Sequence, residues 1–265
     1  MNIFIRELRA HRKSLIIWSI AIFLLIISAM AKFSAYVESG QSMNDLLSDI
    51  PKTIKAVLGM GDLDMTTAGG FYGMFYLYML LMATIHASML GSNIISKEER
   101  DKTSEFLMVK PVSREKIITS KLLAALFNIA VFNIVTLVLS IVIVGNYANG
   151  EDIAGEICLM MTAMFILQLM FLCIGTGIAA ASKRPKSAAS IAMAVLLVSF
   201  IISSAISIYD KLDGLKYITP FKYFEAEKLM KSGGLDPVFV ILSIVIIAAM
   251  VCVTYVFYKK KDLSI

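Results

Sequence analysis

The sequence predicts an all-α membrane protein that crosses the bilayer six times. Six apolar segments, each near or above the roughly 20 residues that span a bilayer, carry this prediction. They occupy residues 15–37, 71–95, 122–144, 153–181, 187–208 and 238–258. Hydrophobic residues make up 58% of the 265 residues and charged residues 17%, and the mean hydropathy is +0.78. These values exclude an ordinary soluble domain, and we expect a single transmembrane domain over residues 1–265.

A basic segment, residues 2–14, precedes the first span. On a helical projection Phe4 and Leu8 share one side, whereas Arg6 and Arg9 lie opposite. This pattern favours an interfacial elbow helix that lies on the membrane surface before the first span. The alternative is a plain positively charged flank that only sets the orientation of the chain.

The lysines and arginines are divided unevenly between the two sides that six spans define. One side carries 17 of the 25 cations, in the N-terminal flank, residues 96–121, the turn at 183–186 and the tail at 259–261. Loops rich in lysine and arginine stay in the cytosol. We therefore expect a multi-pass protein of the plasma membrane with both termini in the cytosol.

Residues 96–121, called here the charged connection, join the second and third spans and contain twelve charged residues. A charge at the bilayer centre costs roughly 2.5–3.5 kcal/mol, so this segment must lie in water. Pro111 ends any helix that continues from the second span. Ser113 is a good N-cap for the next helix, and Glu115 complements its dipole. The pattern predicts a helix, a sharp corner and a second helix.

Two segments on the other side of the membrane are predicted to contain short helices in the outer leaflet. Residues 44–59 carry apolar side chains at helical spacing. Residues 209–236, between the fifth and sixth spans, mix aromatic side chains with lysines, as membrane interfaces do. Exposed, mobile loops are the alternative. Tyr72, Tyr76 and Tyr78 are predicted to form an aromatic belt at the same side.

Several motifs of catalysis and binding are absent from the sequence. It has no GxxxxGK[ST] phosphate loop, HExxH, CxxC or G-x-S-x-G element. We therefore expect no catalytic residues, no metal site and no cofactor bound by this chain. The basic residues flank apolar runs instead of forming one patch, which excludes nucleic acid as the expected partner.

The charged connection resembles the signature of type-2 ABC exporter permeases. Residues 98–107 read EERDKTSEFL, residues 110–114 read KPVSR, and Lys121 enters the third span. The family pattern is roughly E-E-x-x-G-T-x-E-x-L-L-x-x-P-V-S-R followed by such a lysine. Together with the six-span plan, the resemblance covers essentially the whole chain. One departure is Lys102, where many members carry glycine, and it predicts a less sharp turn.

The resemblance implies a permease subunit that pairs with a second permease, as a homodimer or heterodimer, in the membrane lipids of a bacterial cell. Two copies of a separate ABC ATPase would bind ATP and Mg²⁺ and drive export. In that family a cytosolic coupling helix between the second and third spans docks on the ATPase. By position, the residues implied in this contact are Glu98, Glu99, Thr103, Glu105, Phe106 and Leu107. The residues implied in setting the angle of the contact are Pro111, Val112, Ser113 and Arg114.

A stripe on the second span is a candidate lining for a translocation path. It consists of Phe75, Met82, His86, Met89 and Asn93, and a polarizable methionine-rich face suits varied apolar molecules. The alternative is packing between helices, with His86 hydrogen-bonded to a neighbour.

Small residues in the fourth and fifth spans, among them Gly175 and Gly177, permit close approach of backbones. This approach can occur between two subunits or inside one.

Two other classes of function stay open from the residues alone. An ion-coupled secondary transporter or channel would work without an ATPase, but it usually carries ionisable residues deep in its spans, and His86 is almost the only one here. An intramembrane hydrolase would need His86 paired with a serine, and no motif supports it. Dependence on ATP or on an ion gradient separates the first two classes.

Overall fold

A computed structural model describes residues 3–39, 50–103, 112–148, 150 and 152–260. These residues form eight α-helices and contain no strand. The helices are α1 Ile3–Ser39, α2 Lys52–Val57, α3 Ala68–Arg100, α4 Arg114–Gly145, α5 Ala154–Ala181, α6 Ala188–Ile208, α7 Ala226–Ser232 and α8 Pro237–Lys260. Short 3₁₀ helices cover Pro185–Ser187, Asp210–Tyr217 and Pro220–Lys222. The all-α prediction is confirmed.

Six of these helices, α1, α3, α4, α5, α6 and α8, are long and apolar enough to cross a membrane. Each contains nearly all of one predicted apolar segment. Because they alternate in direction, one end of the bundle carries the helix ends on either side of the charged connection. We call this the loop end, and the other the opposite end.

Helix α1 differs from the prediction of a separate elbow helix. It runs without interruption from Ile3 to Ser39 and includes the basic flank. No glycine or proline lies between residues 3 and 39 to end the helix before the apolar segment begins. Its first turns also pack on other helices, since Ile3 and Glu7 are buried. A separate surface helix is therefore not seen in the described residues.

Helix α5 lies at the centre of the bundle and packs against α3, α4, α6 and α8. Its crossing with α3 is close because glycine stands on both sides. A Cβ atom at Gly91 of α3 would overlap the carbonyl oxygen of Leu172 in α5, and one at Gly175 would lie 2.6 Å from that of Ser88. Gly175 therefore serves packing inside one subunit, as small residues commonly do between membrane helices.

The opposite end is covered by α2, α7 and two 3₁₀ helices. Short helices between the fifth and sixth spans were predicted and are present. Of residues 44–59, positions 44–49 lie outside the described residues, and α2 occupies part of the remainder.

Several aromatic side chains at the opposite end are buried, which corrects the predicted positions of Tyr72, Tyr76 and Phe221, whereas Tyr209 and Tyr217 are exposed. Tyr72 and Tyr76 lie inside the bundle, where their hydroxyls donate to Ser140 Oγ at 2.7 Å and to the Met160 carbonyl at 2.8 Å. Only Tyr78 of the three predicted belt residues is exposed. Likewise, the ring of Phe221 is buried against neighbouring rings instead of lying at an interface. These hydroxyls and rings have hydrogen-bond and ring partners inside the bundle, so their burial leaves no polar group unsatisfied.

Candidate functional site

The first carboxylate at the loop end is Glu7 of α1, whose side chain is 0% exposed. Arg6 Nη2 donates to Glu7 Oε1 at 2.9 Å. The ammonium of Lys97, in the last turns of α3, donates to Glu7 Oε2. His11 Nε2 lies 3.9 Å from the same oxygen. Glu7 therefore fastens the beginning of α1 to the end of α3.

The second carboxylate is Glu98 of α3, and its partner Lys121 of α4 is fully buried. The Lys121 ammonium donates to Glu98 Oε2 and, at 2.6 Å, to the carbonyl oxygen of Ile94. Arg6 Nη2 reaches the other oxygen of Glu98 at 3.0 Å. This contact joins α1, α3 and α4 at one point.

Arg6, Glu7, Lys97, Glu98 and Lys121 together form the loop-end charge cluster. Each carboxylate has two cationic partners, so neither is left unpaired in its enclosed position. Buried ion pairs tolerate their loss of hydration only when geometry and hydrogen bonds are good, and removal of one partner is strongly destabilising. The cluster therefore holds α1, α3 and α4 in fixed positions relative to one another.

Helix α3 ends in a left-handed turn directly after this cluster. The N–H of Thr103 donates to the Glu98 carbonyl at 2.8 Å, and the N–H of Lys102 to that of Glu99 at 3.3 Å. Lys102 has φ 55°. These are the two hydrogen bonds of a Schellman C-cap, whose left-handed residue is usually glycine. The predicted loosening of the turn by lysine is not observed, because Lys102 adopts the conformation that glycine would favour.

Four of the residues that the resemblance assigned to ATPase contact lie outside the described residues. They are Glu105, Phe106, Leu107 and Pro111. Of the upstream members, Glu98 is turned inward into the charge cluster, while Glu99 is half-buried and Thr103 is exposed. In this structure the Glu98 carboxylate faces Arg6 and Lys121, and a contact of these residues with an ATPase stays a prediction.

The downstream side of the connection begins at Val112, which packs against Ile3 and Ile117. Ser113 is the N-cap of α4, and its hydroxyl accepts the N–H of Lys116 at 3.3 Å. The predicted cap is confirmed. Glu115 lies in the first turn of α4, as predicted.

Helix α8 holds the first turns of α4. Arg114 Nη1 donates to the carbonyl oxygen of Lys259 at 2.9 Å, and the ammonium of Lys259 pairs with Glu115. One turn further, the hydroxyls of Thr119 and Tyr255 lie 2.7 Å apart. The charged connection is therefore anchored at both sides, upstream to α1 and downstream to α8.

The stripe predicted to line a path is divided by the structure. Phe75, Met82 and Asn93 are partly exposed and Met89 is exposed, so these four lie on an outer face of α3. His86 is buried, and its ring lies 5.6 Å from that of Trp18 and 5.1 Å from that of Phe132.

The imidazole of His86 has no hydrogen-bond partner among the described residues. The packing alternative therefore applies to its ring, although without the hydrogen bond that was expected. A role for the stripe in translocation stays a prediction.

Sequence reasoning missed Glu7 as a member of this site. It is the sole acidic residue before Glu38, within a strongly basic flank. A lone carboxylate among arginines and lysines is the signal that could have indicated a specific internal partner.

The fold and the site define a multi-pass α-helical membrane protein with an ion-paired joint at one end. A family model for ABC-2 family transporter proteins matches residues 1–263, so the chain belongs to that family. No curated protein matched the chain. The chain is therefore a type-2 ABC permease subunit, and membership implies that it works with an ATPase subunit in a lipid membrane.

Proposed function

We propose that this chain is the permease half of an ATP-driven exporter, in which two permeases form the path and two ATPase subunits drive it. The observation that carries the proposal is the anchoring of the charged connection on both sides. A passive link between two spans would not require a buried charge cluster upstream and an ion-paired helix start downstream.

The loop end lies in the cytosol in this proposal. The charged connection, the N-terminal flank and the basic turn at 183–186 carry most of the lysines and arginines of the chain. Both termini then lie in the cytosol, on the side where ATP is available.

Movement of the ATPase would reach the spans through the two anchors. A push on residues 104–111 displaces the end of α3, and the charge cluster transfers this displacement to α1 and α4. Lys259 transfers it from the start of α4 to α8. Since α5 packs on both α3 and α8, the whole subunit would tilt. The cluster residues are positioning residues in this scheme.

The path would form between two permeases along the outer face of α3. This face presents Phe75, Met82, Met89 and Asn93, a mostly apolar and polarizable surface. At its loop end, Arg100 Nη1 donates to Asn93 Oδ1 at 2.9 Å. The direction of transport, outward, rests on the family resemblance of the charged connection.

ATP hydrolysis belongs to the partner in this proposal. The sequence has no phosphate loop, so ATP and Mg²⁺ would be bound by the ATPase subunit and this chain would carry no catalytic residue. The contribution of this chain is mechanical: it holds residues 104–111, called here the contact segment, at a fixed angle to the spans.

Reversal of one charge in the contact segment tests the proposal. Glu105→Arg should prevent co-purification of the co-expressed ATPase, or leave ATP hydrolysis without transport. Lys186→Glu, a charge reversal in the other exposed turn of the loop end, is the matched control and should retain the ATPase. A Glu105→Arg subunit that keeps its ATPase and transports normally would overturn the assignment of this segment.

A further inference from the structure

A cavity of about 230 Å³ lies at the opposite end, far from the charge cluster. Its walls come from α3, from α6, from the glycine-containing loop after α2, and from the segment that returns to the bundle at residues 221–227. No part of the proposed coupling role uses this cavity.

The lining changes from apolar to polar along the direction of the helices. Helix α3 runs inward from Gly73 to Leu80, and α6 runs outward from Phe200 to Ser207; each stretch is about 10 Å long at 1.5 Å per residue. The inner part is therefore formed by Leu80, Phe200 and the ring of Phe221. Apolar side chains in this part suit a hydrocarbon group.

The outer part presents serine hydroxyls and a buried ammonium. Ser203, Ser204 and Ser207 line the cavity in the last turns of α6. The side chain of Lys222 is 8% exposed, and its ammonium donates to Ser207 Oγ at 2.6 Å and to Glu225. An ammonium has three donors, so one N–H of Lys222 stays available beyond these two hydrogen bonds.

Two carboxylates that line the cavity, Glu225 and Glu227, are each paired with a lysine that lies outside the lining. Lys228 pairs with Glu225 at 2.6 Å, and Lys231 pairs with Glu227 at 2.7 Å and with Asp62 at 3.3 Å. The hydrogen bonds that the Lys231 ammonium donates to Glu227 and Asp62 raise the pKa of Lys231, so that this side chain stays cationic.

The lining and the ion pairs that adjoin it thus carry three cations and three carboxylates in close pairs, counting Lys222 with Glu225 as one of them. Such a surface has no net preference for an anion or a cation. It can offer an opposite charge to each end of a group that carries both.

We propose that this cavity binds a single-chain amphiphile with a zwitterionic headgroup. The headgroup-proximal methylenes of the chain lie against Leu80 and Phe200, and the headgroup lies at the mouth, between the ammonium of Lys222 and the carboxylate of Glu227. The volume is below the roughly 300–1,000 Å³ of typical drug-sized pockets, so only the headgroup-proximal part of one chain is enclosed. The site does not depend on the ATPase contact, and its test is independent of that proposal.

Binding of a defined lipid to the purified full-length subunit tests the site. Lysophosphatidylcholine, lysophosphatidylglycerol and an alkyltrimethylammonium of equal chain length are titrated in detergent and counted by native mass spectrometry. We expect one lysophosphatidylcholine per subunit, bound about tenfold more tightly than either charged amphiphile, which corresponds to 1.4 kcal/mol. Equal or tighter binding of a charged amphiphile would overturn the headgroup assignment.

Two substitutions on α6 locate the binding. Ser204→Trp fills the cavity and should weaken binding of lysophosphatidylcholine by about tenfold or more. Ile201→Trp adds the same side chain at a position that is 64% exposed and outside the lining, and should leave binding unchanged. If both variants bind like the unmodified subunit, the cavity is not the site.

A conservative variant covers the case in which tryptophan prevents folding. Ser204→Cys differs by one atom, and its reaction with a maleimide can be followed by mass spectrometry of the peptide that contains position 204. Lysophosphatidylcholine should slow this reaction, whereas the reaction of the exposed Cys158 should keep its rate. An unchanged rate at position 204 under saturating lipid would contradict the proposal.

Discussion

Lys121 is the residue on which three helices depend at the loop end. Its ammonium is fully buried and bonds to Glu98 and to the Ile94 carbonyl. A local pattern could not predict these contacts, because Lys121 and Glu98 are 23 positions apart in sequence. Arg6, which also pairs with Glu98, is 92 positions away from it. The cap at Ser113 was predictable, since its partner Lys116 lies only three residues away.

Replacement of Lys121 by methionine should strongly destabilise the subunit. The change removes one cation from Glu98 and leaves this enclosed carboxylate with Arg6 alone. Loss of one partner of a buried ion pair costs about 3–5 kcal/mol. Chemical denaturation of the purified subunit measures the loss, with Lys116→Met, an exposed position in the same helix, as the control that should change little.

A double variant separates the ion pair from simple packing at this position. When Glu98→Gln is added to Lys121→Met, the combined loss should be smaller than the sum of the two single losses, because the unpaired carboxylate is gone. Strictly additive losses would contradict the cluster.

Replacement of Lys102 by glycine should stabilise the subunit, unlike the replacement of Lys121. Its φ of 55° lies in the left-handed region, which costs a non-glycine residue about 1–2 kcal/mol. Lys102→Gly removes this cost but adds freedom to the unfolded chain, so we expect a net gain of about 1 kcal/mol or less. Thermal unfolding in detergent measures it. Lys211→Gly, in the exposed 3₁₀ helix at the opposite end, should give no gain, and an unstable Lys102→Gly subunit would rule out the observed turn.

At the scale of the elements, the long helices were predictable because a bilayer demands about 20 apolar residues and the chain shows six such runs. The extension of α1 through the basic flank was not predicted. Amphipathic spacing alone cannot distinguish a surface helix from the first turns of a span when no glycine or proline separates them. In the structure, Lys97 and Glu98 of α3 pair with Glu7 and Arg6, and these contacts place the first turns of α1 against the bundle.

The crossing of α3 and α5 depends on the absence of side chains at two positions. Gly91→Ala places a methyl group onto the backbone carbonyl of Leu172, so the helices must separate. Overpacking of this kind costs about 1–3 kcal/mol. Gly155→Ala, in α5, meets no atom within 4 Å and should be neutral or stabilising. Apparent melting temperatures of both variants compare the two sites, and equal values would contradict a tight crossing at Gly91.

At the scale of the whole molecule, the sequence indicated which segments enter the membrane and on which side the cations collect. It could not indicate which face of each helix is covered, since nearly every position in a span is apolar. His86 illustrates this limit: it belongs to the predicted stripe by spacing, yet Trp18 and Phe132 enclose it. The cavity at the opposite end could not be predicted either, because its walls come from four separate segments of the chain.

The assembled subunit has two regions with different tasks in this account. Ion pairs at the loop end hold the charged connection to α1, α4 and α8. An amphipathic cavity lies at the opposite end, against α3 and α6. Helix α3 belongs to both regions, so a displacement that begins at Lys97 can reach Gly73.

The charged connection contacts a separate ATPase in the proposed exporter, and photo-crosslinking tests this contact directly. Phe106, within that connection, is replaced by the photoreactive p-benzoylphenylalanine, and Tyr217, exposed at the opposite end, receives the same replacement in a second variant. After irradiation of cells that co-express the ATPase, we predict a covalent permease–ATPase adduct from position 106 and none from position 217. Absence of the adduct at 106, or equal adducts at both positions, would contradict the account.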